Sequence, residues 1–452
     1  MKKRWYSADA LVIIVGLILR ENLILIVGLL GLLVLLTIDI WAKYCLHQLR
    51  FQRHLSENCT LFGEEITLSI SIENAKMLPL PWLEIEDKVP SMLRVQGRRL
   101  RVDRSTNRAT LESLFSPRWY ERITRRYSVS CNARGVHAFG PTLLRSSDLF
   151  GFVERQDTLQ NKQYLVVYPL IAPLSSFNLP ARHPFGDRRA PRRLLEDPSR
   201  VVGIRDYTYG DDLRRVHWKA TARTMQLQSK IYEATITYTL VLFLNVAIQI
   251  DSYFGFHPEL QELAICAAAS VANWALNAGY AVGLYANSIA TISEGSGIQV
   301  PTSDEQEKLT EGNISEQIRL RRIRVVPTND QDQRRRIMDT LARIQGSSGD
   351  SVEDLIQAER SRLPAGATIV IVTNKITEPL LDALTNLRYI GHAVTILQVG
   401  DQPVVHRMAG ISVYPLGGEE TWKKLSTTYD SLKDADAPEP QVRLDQDAVF
   451  HL

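Results

Sequence analysis

Between Arg205 and Arg223 the side chains Asp206, Asp211, Asp212 and His217 stand among the cations Arg205, Arg214, Lys219 and Arg223. Carboxyl and imidazole groups within reach of a substrate are the minimum that general acid–base catalysis requires. The same carboxylates beside guanidinium groups are held ionised at neutral pH, which is the chemistry of a structural ion-pair network. Three readings follow: a structural network, a partner-binding surface, and a catalytic site using Asp211 and His217. Gly210, just ahead of Asp211, reads as a turn, Tyr207 as part of the same constellation, and Trp218 as an apolar anchor against a sheet. No serine or cysteine accompanies His217 in a nucleophile-elbow pattern, no Gly-rich phosphate loop occurs, and the nine histidines show no H-E-x-x-H spacing. Cys45, Cys59, Cys131 and Cys266 are too scattered for a zinc site and read as buried or membrane-flanking thiols in a reducing compartment.

The elements that must carry this segment follow from periodicity. Downstream, TYTLVLFLNVAI (237–248) is a nearly continuous apolar run, as in a parallel strand covered on both faces. A helix over 258–278, a strand over 280–286, a helix over 331–344, a strand over 368–373, a helix over 379–389 and a strand over 392–400 follow in alternation. That alternation predicts a doubly wound, Rossmann-like α/β domain over residues 201–427, with right-handed crossovers. Residues 428–452 form an acidic tail of disordered composition. Upstream, residues 55–170 show period-two patterning, as in Ile66, Leu68, Ile70 and Ile72, and predict a small all-β sandwich. Residues 171–200 read as a basic linker holding Arg182, His183, Arg188, Arg189, Arg192 and Arg193. Such a cluster is either solvated or set against anionic headgroups, at about 1 kcal/mol per basic residue near a membrane surface. The runs Arg98 to Arg108 and Arg118 to Arg126 invite the same two readings. Nucleic acid is disfavoured as a partner, because neither run has the aromatic interleaving of a single-strand binder and the net charge is only +3.

Residues 22–38 carry no charge and, at 1.5 Å per residue, reach about 25 Å, enough to approach the width of a bilayer core. A shorter apolar run covers 10–19, and Arg20, Glu21 and Asn22 separate the two. Basic residues flank both ends, Lys2, Lys3 and Arg4 before and Lys43, Arg50 and Arg53 after. This favours a transmembrane helical hairpin over residues 1–46, a multi-pass anchor of two helices in the cell membrane with the soluble domains cytoplasmic. A signal peptide, which would lack a small-residue cleavage site here, and a single span with the bulk of the chain outside are the rivals.

The order R-x-Y-x-x-G-D-x-x-R-x-x-H-W-K-x-x-A-R from Arg205 to Arg223 resembles the signature of the DUF58 family of membrane-anchored proteins, whose C-terminal part is similar to a von Willebrand factor A (vWA) domain. Asn74 to Trp82, RGVHAFGP (134–141) and DLFGF (148–152) look like the turns that precede the signature in that family. The resemblance implies a membrane-anchored α/β plus all-β fold and a metal position after the first strand, where vWA domains carry D-x-S-x-S. Here that position reads Asn245, Val246, Ala247, Ile248, Gln249, and the later aspartate is replaced by Asn374 beside Thr373. Amides without carboxylates do not balance a divalent charge, so no metal and no cofactor are expected. The resemblance further implies a non-enzymatic adaptor that presents a metal-less vWA-like module to a MoxR-type AAA+ ATPase. The alternative is an envelope-related hydrolase using Asp211 and His217.

Overall fold

The two apolar runs form α1 (Lys2–Leu19) and α2 (Asn22–Tyr44), and Arg20, with φ of 56°, makes the left-handed turn that ends the first. The computed structural model describes residues 2–97, 100–103, 108–147, 153–177, 179, 195–235, 238–247, 257–288, 323–344, 351–401 and 407–436, in two compact units, Met1–Tyr168 and Pro169–Leu452. By length and composition α2 can cross a membrane; the apolar part of α1, Trp5–Leu19, is shorter. Tyr6 Oη donates to the Leu35 carbonyl at 3.2 Å, and Gly28 brings the helices close, since a Cβ there would lie 2.6 Å from the Ile13 side chain. Asp9 faces α2 at Gly31, and its Oδ2 is buried with no hydrogen-bond partner. At the other end of α2, Ile38 and Ala42 are buried, and Cys45 and Trp41 join the core of the β domain that follows.

That domain contains β1 (Leu49–Leu55), β2 (Cys59–Thr60), β3 (Glu65–Asn74), β4 (Leu83–Pro90), β5 (Arg94–Val95), β6 (Arg101–Asp103), β7 (Arg108–Phe115), β8 (Arg122–Ser130), β9 (Gly135–Phe139), β10 (Thr142–Ser147), β11 (Glu154–Leu159) and β12 (Gln163–Val167). The antiparallel orders β1-β3-β8-β5 and β11-β10-β4-β7-β6 give its two main sheets, and β2-β12-β9 a third. Period-two alternation puts Ile66, Leu68, Ile70 and Ile72 of β3 in one core with Leu83 and Ile85 of β4.

His137 on β9 is buried, with Nε2 2.8 Å from the Ala133 carbonyl oxygen, and burial holds its imidazole below the ordinary range. The unfolded chain takes up this proton near pH 6.5 and the folded chain resists it. The corresponding stability is therefore present above about pH 6.5 and is lost as pH falls through the lowered folded value. His392 repeats this in the second unit, buried beside the Ala367 carbonyl. Melting followed from pH 7 to pH 5 should fall for both units, and His137→Gln should flatten the response of the first alone; an unchanged response would contradict the assignment.

The second unit opens with buried Leu170, Ala172 and Leu174, and Leu174–Phe177 is a 3-10 turn. The stretch read as linker thus begins with packed chain, because Ala172 N–H donates to Ser270 Oγ in a buried helix at 2.9 Å. Residues 180–194, with Arg182, His183, Arg188, Arg189, Arg192 and Arg193, lie outside the described residues, as do Arg98, Arg99 and the DLFGF turn. Next come β13 (Leu195–Asp206), α3 (Trp218–Thr224), β14 (Gln228–Thr235), β15 (Thr239–Leu244), α4 (Pro258–Asn277), β16 (Ala281–Ala286), β17 (Ile323–Thr328), α5 (Gln333–Arg343), α6 (Val352–Glu359), β18 (Thr368–Thr373), α7 (Glu378–Tyr389), β19 (Ala393–Val399), β20 (Arg407–Met408), β21 (Ile411–Gly417) and α8 (Glu419–Asp436).

The large sheet runs β17-β16-β15-β18-β19-β21-β20, parallel from β16 to β21 and antiparallel at both edges. Val241, Phe243, Ile369 and Ile371 face α6 and α7 in one core cluster. The alternate residues Leu240, Leu242 and Leu244 are equally buried, and α4 covers this side of the sheet. α8 extends to Asp436, beyond the point where the tail was expected to begin, because Trp422, Leu425, Tyr429 and Leu432 continue at helical spacing. Residues 437–452 lie outside the described residues.

Burial pushes the Cys266 thiol in α4 up to about 12, and Cys45 and Cys131 are also buried, whereas Cys59 is exposed. A maleimide applied to the folded chain at pH 7.5 should modify Cys59 alone, read by peptide mass; labelling of Cys266 at a comparable rate would contradict its burial.

Candidate functional site

The signature residues do not lie in the large sheet. β13 and β14 pair antiparallel as a separate two-stranded ribbon, with Arg205 opposite Ser229 and Asp206 opposite Gln228, and the segment between them carries the signature. Asp211 closes the first turn: its Oδ1 accepts from Arg205 Nη2 at 2.7 Å, and its Oδ2 accepts from the N–H and hydroxyl of Thr208, each at 3.2 Å. Gly210, at φ +109°, supplies the backbone angle that this turn requires. Tyr207 Oη donates to the Asp211 carbonyl at 3.0 Å. The Thr208 N–H above all, then its hydroxyl and Arg205, hold the Asp211 carboxyl below the usual range, so it is ionised at neutral pH and holds no proton to donate.

The other two aspartates and the histidine of the signature also accept hydrogen bonds. Asp212 caps the 3-10 turn Leu213–Arg215 by accepting from Arg214 N–H at 3.0 Å. His217 caps α3, with Nδ1 accepting from Ala220 N–H at 3.1 Å. Asp206 Oδ1 accepts from Gln228 Nε2 at 2.6 Å, and the Arg215 guanidinium lies 5.7 Å from the centre of the Tyr232 ring. Gln228 and Arg215 were not legible as members of this network, because their contacts span 22 and 17 residues of chain.

Trp218 departs from expectation. It is 69% exposed instead of anchored on a sheet, since Val216, bridged to Ser229 and buried, takes the inward place. Tyr209, Leu213, Met225 and Leu227 are exposed with it, as are Arg214, Lys219 and Arg223. The segment therefore commits its acids and imidazole to hydrogen bonds within its own ribbon and turns and offers aromatic, apolar and cationic side chains outward.

At the carboxyl ends of the parallel strands, where α/β sheets bind ligands, a second constellation assembles. Asn245 Nδ2 donates to Thr373 Oγ1 at 3.1 Å, and Asn245 Oδ1 accepts from Asn287 Nδ2 at 2.8 Å and from Ala247 N–H at 3.2 Å. Asn287 Oδ1 accepts from Val246 N–H at 2.7 Å, and the Thr373 hydroxyl donates to the Lys375 carbonyl at 3.0 Å. Asn374 sits half-buried just beyond, and Ile248 and Gln249 lie outside the described residues. These oxygens are neutral and already bonded, so the set does not fit a divalent cation, which calls for carboxylate ligands. Among the described residues no group of three or more His, Cys, Asp or Glu side chains is placed to hold a metal. Asn287 was not anticipated; its only signal is a polar residue directly after the apolar strand AVGLYA.

The match to known families begins inside this ribbon. Residues 203–306 match the family described as "Protein of unknown function DUF58". The DUF58 match spans the end of β13, all of the signature, β14, β15, α4 and β16. The chain is also 24% identical over 245 residues, 54% of its length, to the "Uncharacterized protein YeaD" of Bacillus subtilis (strain 168), and spans 57% of that relative. Among solved structures, a CARDB domain from Pyrococcus furiosus is 8% identical, over 26% of this chain and 91% of that one, with a TM-score of 0.19. A cohesin module from Clostridium perfringens gives 7%, 26%, 96% and 0.19. The sporulation control protein Spo0M from Bacillus subtilis gives 12%, 26%, 49% and 0.16. TM-scores this low carry no statement about the fold.

Proposed function

We propose that this chain is a non-enzymatic, membrane-anchored adaptor that presents its DUF58 segment to a MoxR-type AAA+ ATPase. One observation carries the reading: in the signature the groups able to do acid–base chemistry are fixed in caps and turns, while Tyr209, Leu213, Trp218 and Met225 stand exposed among Arg214, Lys219 and Arg223. Tryptophan, tyrosine, methionine and arginine are the types enriched where proteins meet, and an exposed cluster of them marks a docking surface. The hydrolase alternative needs Asp211 and His217 free to exchange protons with a substrate. The Asp211 carboxylate is committed to Arg205 and Thr208, and His217 Nδ1 is engaged in a helix cap, both of which weigh against it.

The module behind the segment is vWA-like in our reading. Its central parallel order, with β15 between β16 and β18 and an antiparallel β17 at the edge, is the doubly wound arrangement that the resemblance implies. Its ligand end is amide-lined, so the adaptor acts without a metal. In the same reading α1 and α2 form a two-helix membrane anchor, with Lys2, Lys3 and Arg4 at one flank and Lys43 and Arg50 at the other favouring soluble units in the cytoplasm; Arg53, counted with them from sequence, is instead buried against Asp87. The test is co-purification of the full chain, in detergent, with a co-expressed MoxR-type ATPase. Stoichiometric capture supports the adaptor; turnover of envelope material that disappears in a folded Asp211→Asn variant would replace it with the hydrolase.

A further inference from the structure

α2 leaves the membrane beside a cavity. From Asn22 to Trp41 the helix climbs about 30 Å, the thickness of a bilayer core, so Trp41 marks one boundary of the hydrocarbon. At that level Thr37, Ile38 and Trp41 form one wall of a cavity of about 440 Å³, and Leu80, Pro117 and Arg118 from two loops of the β domain contribute to the other. The volume lies within the roughly 300–1,000 Å³ of small-molecule sites. The wall is held in place: buried Asn74 donates from Nδ2 to the Leu78 and Arg118 carbonyls at 2.9 and 2.8 Å, and Leu80 N–H donates to the Pro117 carbonyl at 3.0 Å. Beside the cavity the same two loops expose Met77, Trp119 and Tyr120. Amphipathic rings and basic side chains at this depth are the composition of a bilayer interface.

We infer that this cavity takes one acyl chain of an anionic phospholipid from the adjacent leaflet, with the Arg118 guanidinium meeting the phosphate. An apolar cavity opening at the depth where lipid tails begin is filled by the solvent around it, and that solvent is hydrocarbon. Arg118, the one cation among the described residues of its lining, sits on the loop that carries the interfacial rings, and it favours a net negative headgroup over a zwitterionic one. The inference rests on the reading that α2 spans the membrane.

The test uses the full chain in detergent, given phosphatidylglycerol or phosphatidylcholine with identical tails, with bound lipid counted by native mass spectrometry. The wild type should retain one phosphatidylglycerol, preferred about fivefold over phosphatidylcholine, the ratio expected from one basic residue near a headgroup. Thr37→Trp, which fills the cavity from the exposed side of α2, should lose retention of both lipids by about tenfold or more. Arg118→Gln should keep the tail and lose the preference. Equal retention by wild type and a folded Thr37→Trp protein would overturn the cavity, and a wild type indifferent to headgroup would overturn its anionic choice. Carbonate extraction of membranes separates this from the anchor reading: release of the wild type overturns both, whereas a retained protein with no bound lipid overturns the cavity alone.

Discussion

Asp87→Ala is expected to destabilise the β domain by about 3–5 kcal/mol, the cost of leaving a buried charge without its partner. Asp87 on β4 is fully buried and receives Arg53 of β1 through two contacts, Nε to Oδ2 at 2.9 Å and Nη2 to Oδ1 at 2.5 Å. Burial pushes the carboxyl up, while Arg53 and a 2.8 Å hydrogen bond from Thr142 oppose that rise. Arg53 Nη1 also donates to the Asn161 carbonyl at 3.2 Å, so one guanidinium ties β1 to β4, to β10 and to the β11–β12 turn. β1 and β4 belong to different sheets, which makes this pair a clamp across the sandwich. Removing one member strands the other, whereas Arg53→Met combined with Asp87→Leu removes both charges and should be much less destabilised than either single change. Chemical denaturation, with amide exchange in β1 and β4 to localise the loss, reads the effect. A single substitution costing less than about 1 kcal/mol, as at an exposed pair, would contradict the clamp.

Trp218→Ala should weaken capture of the ATPase by about thirtyfold or more, the roughly 2 kcal/mol typical of a central aromatic contact, and leave melting unchanged. The two halves of that prediction come from one fact, because a side chain 69% exposed contributes little to the fold and stays available to a partner. Tyr209→Ala should behave alike, being fully exposed just ahead of Gly210. Asp211→Asn should show the reverse order of effects. It removes the charge that Arg205 and the Thr208 N–H were built around, so amide protection in residues 205–212 falls first and any loss of capture follows from it. Trp218→Ala melting several degrees lower with capture intact would return the tryptophan to a structural role.

Much of this architecture was legible because its signal is local. The uncharged run of α2, the alternation of β3 and the continuous apolar strands β15, β18 and β19 each follow from residues adjacent in sequence. What escaped was set by distant pairing. Nothing in the sequence separates β13 and β14 from the large sheet, since Ile204 and Ile231 look like buried strand residues and are exposed on a two-stranded ribbon. Trp218 misled for the same reason, its type suggesting a core that Val216 fills instead. Arg53 and Asp87 are 34 residues apart, and Asn245 meets Thr373 across 128, so neither polar network has a spacing that marks it. The signature's own chemistry was half visible: the choice between ion-pair network and catalytic site turned on which donors each acid and the histidine would accept from.

Amide exchange across residues 203–233 of the full chain, compared with and without the MoxR-type ATPase, tests the adaptor reading most directly. Protection centred on residues 207–227, around Tyr209, Trp218 and Met225, is the expected footprint. A footprint confined to the carboxyl ends of β15 and β18, or none while the ATPase is bound, would contradict it.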